Sequence, residues 1–234
     1  PAQLLRNLIH FCSRDAMDIE GLGPAIIETF VNVGMINKTY DIYNLDPDKI
    51  ASLEGFKQTS AKNIINSVNN SKKNDLSKLI FALGIRHIGA KAGKLLADHF
   101  KNIDAIMNAS VDDILEIDGF GVVMAQSVVE FFESDSSKEL IEKLKEVGVN
   151  MISTNVVKDN RFEGMTFVLT GTLPTLKRSE ASSIIESFGG KASSSVSKKT
   201  TYVLAGEEAG SKLDKANSLG VEVINEEQFK EMIK

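Results

Sequence analysis

A five-residue pattern recurs four times before residue 122: Ile19-Glu20-Gly21-Leu22-Gly23, Leu53-Glu54-Gly55-Phe56-Lys57, Ile85-Arg86-His87-Ile88-Gly89 and Ile117-Asp118-Gly119-Phe120-Gly121. The third positions fall at 21, 55, 87 and 119, so successive units lie 34, 32 and 32 residues apart. Regular spacing of this kind marks a repeat whose units bury their apolar faces against one another. Each unit sits between two runs of helical character. Asp46 and Ser110 are cap candidates for the runs that lead into the second and fourth units. After each turn, apolar residues follow at helical spacing: Ile26, Ile27 and Phe30; Ala61, Ile64, Ile65 and Val68; Ala92, Leu95 and Leu96; Ala125, Val128 and Val129.

The pattern predicts a helix ending in a glycine-supported turn, with a second helix opening a few residues later. Glycine tolerates positive φ and lets a partner approach the backbone closely. The first N–H groups of the second helix have no intrahelical acceptor and carry the positive end of its dipole. A phosphate oxygen suits such donors. Basic residues after the turn add charge-assisted contacts that position a protein on DNA without reading its sequence. A single turn of this type would be an ordinary αα-hairpin with a glycine C-cap; four in register favour hairpins of the DNA-binding type. A dinucleotide fingerprint needs a preceding strand and a third glycine, and both are missing.

A net charge of −5 looks unfavourable for a DNA binder, but its distribution is uneven. Residues 57–101 hold nine Lys/Arg against Asp75 and Asp98 alone, an island of +7, with acidic stretches on both sides. The candidate backbone-binding residues are Gly21, Gly23, Gly55, Lys57, Lys62, Arg86, His87, Gly89, Lys91, Lys94, Gly119 and Gly121. The second and third units, within the island, are expected to supply most of the affinity. The first and fourth, beside Glu20 and Asp118, either contact DNA through N–H groups alone or serve as packing units. His87 either donates to a phosphate or packs.

Other functions find less support. Trp is absent and aromatics make up 6% of residues, which disfavours stacking platforms for single strands. No apolar run of about 18 residues exists, so no membrane helix is expected. Cys12 is the sole cysteine, in an apolar run that marks it as core, and it excludes an internal disulfide. With three scattered histidines it makes no zinc site. Clustered carboxylates with a nearby His, as an independent nuclease would need, are not found. The start at Pro1 reads as an excised piece of a longer polypeptide.

Residues 156–161 are expected to be a linker between a domain at 1–155 and a domain at 162–234. The second holds strand candidates at 165–171, 202–205 and 221–224. Helices are expected at 178–188, at 211–219 and after an Asn225 cap, with Phe229 and Ile233 facing inward. Alternating strands and helices imply a small parallel sheet. The fold class is multidomain: all-α tandem hairpins, then a small α/β domain. Thr170 and Gly171 end the first strand, where open α/β sheets bind ligands. Either these two converge with Arg178 and Lys212 on one phosphate, or Thr170 and Gly171 shape a turn and the cations are solvated.

At this point the residues resemble a known family. Phe11-Cys12-Ser13-Arg14-Asp15-Ala16-Met17-Asp18-Ile19-Glu20-Gly21-Leu22-Gly23 and Ala82-Leu83-Gly84-Ile85-Arg86-His87-Ile88-Gly89 are similar to the C-terminal part of bacterial NAD-dependent DNA ligases. So are Gly189-Gly190-Lys191, Ser197-Lys198-Lys199-Thr200-Thr201-Tyr202-Val203 and Gly210-Ser211-Lys212-Leu213-Asp214-Lys215-Ala216. The resemblance covers essentially all 234 residues. It implies the tail of a zinc finger, a four-repeat helix-hairpin-helix domain and a BRCT domain. The implied role is sequence-independent binding of nicked duplex DNA in a nick-sealing ligase of replication and repair, as a cytoplasmic, nucleoid-associated monomer.

The resemblance also implies NAD, zinc and a divalent metal for the full-length parent, and upstream catalytic domains on the same polypeptide. None of these cofactors is expected in this stretch. The family's last zinc-binding Cys would precede Pro1, and its adenylated Lys has no counterpart, because Asp118-Gly119 follows Glu116-Ile117. Phe229 stands where many BRCT domains carry Trp, unlike the phosphopeptide-binding pairs. The alternative role is a protein-interaction module, with the BRCT domain as docking surface and the hairpins as scaffold.

Overall fold

The computed structural model describes residues 2–154 and 159–234, which fall into two compact units, Pro1–Thr154 and Asn155–Lys234. The first unit is helical. Its elements are α1 (Ala2–Cys12), α2 (Pro24–Asn32), a 3-10 turn (Thr39–Asn44), α3 (Pro47–Ala51), α4 (Gln58–Ser71), α5 (Leu76–Ala82), α6 (Ala90–Phe100), α7 (Ile103–Met107), α8 (Val111–Leu115), α9 (Val122–Glu133) and α10 (Asp135–Glu146). The four expected hairpins are therefore α1–α2, α3–α4, α5–α6 and α8–α9.

Each recurrent turn is built alike. Its first and fourth residues close an i→i+3 bond: Leu22 N–H to Ile19 O at 3.3 Å, then Phe56 to Leu53, Ile88 to Ile85 and Phe120 to Ile117, each at 3.1 Å. These residues point inward while the two between them are exposed. The third residue takes positive φ in all four turns: +88° at Gly21, +84° at Gly55, +66° at His87 and +92° at Gly119. A turn of this shape requires that conformation at its third position, which explains three glycines there. His87 meets the same demand without being glycine.

One continuous apolar core joins the hairpins, from Leu8 and Phe11 through Ile27, Phe30, Ile64, Leu79, Leu96 and Ile114 to Val128 and Leu144. Neighbouring units interlock in detail. Phe30 of the first hairpin lies 5.6 Å from Phe56 at the second turn, ring centre to ring centre. The segment after α10 is laced onto the connections on either side of the third hairpin. Asn150 N–H donates to Lys72 O at 2.8 Å, Ser153 N–H to Lys101 O at 2.7 Å and Ile103 N–H to Met151 O at 2.9 Å. Asp75 completes this lacing by accepting from the Thr154 N–H at 2.6 Å and hydroxyl at 2.9 Å.

The second unit carries a four-stranded, all-parallel sheet in the order β2-β1-β3-β4: β1 (Thr166–Thr170), β2 (Lys191–Ser193), β3 (Tyr202–Ala205) and β4 (Glu222–Ile224). Three helices complete it: α11 (Arg178–Ser187), α12 (Ser211–Leu219) and α13 (Glu226–Met232). Side chains alternate across the sheet as the pleat requires. Phe167 and Leu169 face a cluster with Ile185 and Phe229, while Val168 and Val203 face Ala216 and Val196.

The sequence reading finds three of these strands and misses β2. Lys191-Ala192-Ser193 is a short edge strand with an exposed Lys, so it shows no apolar run to detect. The second unit also takes in residues assigned above to the linker. The Arg161 guanidinium donates to Met232 O at 3.1 Å and Lys234 O at 3.2 Å, and sits 4.6 Å from the centre of the Phe188 ring. The rest of that linker assignment, 156–158, lies outside the described residues.

Candidate nucleic-acid interface

The two helices of each hairpin begin differently. Where the start of a first helix is described, a side chain caps it. Asp46 accepts from Asp48 N–H at 2.9 Å, Asp75 from Ser77 N–H at 2.9 Å and Ser110 from Asp113 N–H at 3.2 Å. The second helices α2, α4, α6 and α9 open at Gly23, Lys57, Gly89 and Gly121, each with extended backbone and none capped by the side chain of that residue, although at α4 the Ser60 hydroxyl accepts from the Lys57 N–H at 2.9 Å. A side-chain cap is worth roughly 1 kcal/mol, and it is missing at the same position four times.

The consequence is a matched set of free donors. The first N–H in each second helix to find an acceptor is Ile27, Ala61, Gly93 or Ala125, bonding back to Gly23, Lys57, Gly89 or Gly121 at 2.9–3.0 Å. Among the described hydrogen bonds, the N–H groups of Gln58, Thr59 and Ser60, of Ala90, Lys91 and Ala92, and of Val122, Val123 and Met124 have no acceptor. At the first hairpin only Ala25 and Ile26 offer donors, because Pro24 has no N–H. Of these residues Ala25, Gln58, Thr59, Ala90, Lys91, Val122 and Val123 are exposed, and the helix dipole adds positive potential there.

The side chains around the four tips differ. Lys57, Lys62, Arg86, His87 and Lys91 are exposed at the second and third hairpins. Lys94 is held by Asp98 at 3.0 Å one turn further along α6, so it is a tethered cation. At the fourth hairpin the exposed residues beside the free donors are Val122 and Val123, 53% and 60% accessible, next to Asp118. At the first they are Glu20 and Pro24. His87 is exposed, which removes packing as the reason for its presence.

In the second unit a cleft of about 420 Å³ opens between the end of β1 and the start of α11. Gly171 and Arg178 line it together with Leu173, Thr175 and Lys177; Thr170 and Lys212 do not. Thr170 is buried in β1. The Arg178 guanidinium donates to Leu169 O at 2.7 Å. Gly171 has φ +72°, and a Cβ there would collide with the Glu207 carbonyl oxygen, because Thr172 and Glu207 exchange backbone hydrogen bonds at 2.9 and 2.8 Å. The glycine is thus explained by close packing of two loops.

Sequence reasoning missed Glu226, which braces the wall of this cleft. Its carboxylate accepts from Thr175 N–H at 3.0 Å, from the Thr175 hydroxyl, and from Lys230 Nζ at 2.7 Å. Burial pushes the Glu226 pKa upward, but the hydrogen bonds from Lys230 and Thr175 outweigh it and hold the carboxyl down to about 2. The signal available in sequence was only its place in the first turn of α13, where many acidic residues sit for the dipole alone.

Among the described residues no three His, Cys, Asp or Glu side chains come together to hold a metal ion. Cys12 is buried, and desolvation pushes its thiol up to about 12, which makes it core and poor as a ligand or nucleophile. Zinc does not fit the described residues. Among the described residues no helix is long and apolar enough to cross a membrane.

Comparison with known families matches this architecture. Residues 13–70 match the SAM-like helix-hairpin-helix tandem model, residues 78–141 the helix-hairpin-helix motif model and residues 157–233 the BRCA1 C Terminus (BRCT) domain model. A DNA ligase of Acetivibrio thermocellus is 53% identical over 236 residues, which is 99% of this chain and 36% of that protein. Those of Clostridioides difficile and Koribacter versatilis are 53% and 44% identical, each over all of this chain and 35% of the relative. The chain spans about a third of the length of the curated relatives it matches. Along essentially its whole length the chain is similar to one part of these DNA ligases, and its two units match helix-hairpin-helix models and the BRCT domain model.

Proposed function

We propose that the hairpin unit grips the backbone of nicked duplex DNA without reading its sequence, as the non-catalytic part of an NAD-dependent ligase that seals nicks in replication and repair. The observation that carries this reading is the set of four second helices left uncapped in one register, while the described first helices carry side-chain caps. An anion supplied from outside satisfies such donors. The hairpins face the minor-groove side and hold the duplex bent or encircled, while domains elsewhere in the parent join the 3′-hydroxyl to the 5′-phosphate. NAD, zinc and a divalent metal belong to those domains, and the working form is a cytoplasmic, nucleoid-associated monomer. At the BRCT cleft, Arg178 and Lys177 give an anion its cationic wall, and Thr170 and Lys212 contribute only if the surrounding loops rearrange.

The test is a binding titration of a fluorescent nicked duplex by anisotropy across a salt series. Contacts to about 6–8 phosphates give a slope of log K against log salt of roughly −5 to −7. A flat salt dependence overturns the reading. A second reading, a protein-docking module, is favoured by the exposed Val122 and Val123 and the acidic surroundings of the first and fourth tips. Charge reversal at Lys57, Lys62, Lys91 and Lys94 separates the two, because unchanged DNA binding would support docking.

A further inference from the structure

The basic island in the sequence begins at Lys57, and α1 lies outside it in an acidic stretch. The fold brings α1 back to the third hairpin. α1 packs against α5, and the His10 ring Nε2 meets the Phe81 carbonyl at 2.6 Å, with the His10 and Phe81 rings edge to face at 4.8 Å. The Phe81 carbonyl, in the last turn of α5, thereby accepts a second hydrogen bond beside the one from the Gly84 N–H at 3.1 Å. The contact also fixes α1 beside the turn that carries Arg86 and His87. Between them lies a cleft of about 370 Å³, lined by Arg6, Asn7 and His10 from α1 and by Ala82, Leu83, Gly84, Ile85 and Ile88 from the hairpin.

The lining divides by chemistry. Ala82, Leu83, Ile85 and Ile88 make an apolar floor, and Arg6 and Asn7 make an exposed polar rim. Arg6 pairs with no carboxylate among the described residues. Its guanidinium donates to Gln3 Oε1 at 3.0 Å, and Gln3 Nε2 donates to Asn7 Oδ1 at 2.8 Å, so the rim residues are linked along one face of α1. That arrangement leaves most guanidinium donors free for a ligand. Ile85 and Ile88 are also the two residues that close the third hairpin turn, so the cleft adjoins the base of that turn, while Arg86 and His87 at the tip do not line it.

We propose that this cleft is a backbone subsite for one nucleotide of the strand held by the third hairpin, with Arg6 on the phosphate and the apolar floor against the deoxyribose. The inference rests on the DNA-gripping reading above and adds a contact to it from a different helix. The rim supplies a cation with a planar donor fork suited to phosphate, and the floor supplies a surface suited to a sugar face.

The experiment compares the full chain with its Arg6→Ala, Arg6→Lys and Asn7→Glu variants, and with Lys138→Ala as an exposed-cation control on α10. Nicked-duplex affinity is measured by anisotropy over a salt series, and circular dichroism melts confirm equal folding. Arg6→Ala is expected to lower affinity about fivefold and to flatten the slope by about 0.9, the signature of one lost phosphate contact. Arg6→Lys should recover part of the affinity and the slope. Asn7→Glu, which places an anion on the rim, should weaken binding at least as much as Arg6→Ala. If the wild type binds with a steep slope and Arg6→Ala behaves like Lys138→Ala, this inference is overturned and the DNA-gripping reading stands. If the wild type does not bind, both fall.

Discussion

The second and third hairpins and the first and fourth share one backbone and differ in what surrounds it. All four have the same turn bond, the same left-handed third residue and the same uncapped second helix. Around the inner pair the exposed side chains are Lys57, Lys62, Arg86, His87 and Lys91; around the outer pair they are Glu20, Asp118, Val122 and Val123. Backbone geometry is thus set by the demands of folding, since the turn must place its apolar residues in a shared core. Side-chain charge at the tip is free to vary. A repeat can keep its shape and alter its contribution to binding, and only the inner pair adds cations to the N–H donors.

The sharpest test of this contrast is the joint reversal Lys57→Glu, Lys62→Glu, Lys91→Glu and Lys94→Glu. Nicked-duplex affinity should fall by about a hundredfold or more, with the salt slope flattening by about 3 units. The expected change is nearer three contacts than four because Asp98 already holds Lys94. Equal affinity loss from removing Glu20 and Asp118 would break the division into inner and outer pairs.

At the outer pair, Gly119→Val tests how far the shared backbone depends on glycine. A β-branched residue at φ +92° should destabilise the hairpin unit by about 2 kcal/mol, read from urea melts. No clash of the new Cβ contributes, because nothing lies within 4 Å of where it would sit.

Helix caps sharpen the comparison further. Asp75, at the third hairpin, accepts from Ser77 and from both groups of Thr154. Burial acts to raise its pKa, but those hydrogen bonds win and hold it below the ordinary 3.8. Asp75→Asn should therefore cost about 1–2 kcal/mol near neutral pH. Because the folded value is depressed, the wild-type stabilisation is complete above the unfolded pKa and is lost as pH falls through the folded value. The variant's deficit should therefore shrink in acid melts below about pH 4. Asp113→Asn, at the exposed carboxylate that accepts from the Ser110 N–H and hydroxyl at the start of α8, should shift the melting temperature less.

The smallest effect is expected from His87→Gly. Relief of the left-handed conformation should raise stability by less than about 1 kcal/mol, since glycine also loses more chain entropy on folding. Affinity should fall slightly, and tighter DNA binding by the variant would mean that the imidazole is no contact.

Much of the site was legible because its determinants are local. A turn with positive φ selects glycine, and three glycines at matched spacing reveal it; Asp46 and Ser110 cap the helices their positions announced. The BRCT strands with apolar runs were equally visible, whereas the polar edge strand Lys191–Ser193 was not. Grouping Thr170 and Lys212 with Gly171 and Arg178 relied on positions along the chain, and the cleft that forms takes only the latter two. Glu226 escaped notice for the same reason, since its partner Thr175 lies far away in sequence, and so did the placing of Arg6 beside the third hairpin.

The sequence by itself determined the number of hairpins, the register of their turns and the location of the basic island, because each follows from backbone preference or from composition over a few residues. The tertiary structure decided which cations are free, which is tethered and which distant helix joins the third tip. Those outcomes depend on how side chains meet after the core has closed, and no local preference encodes them.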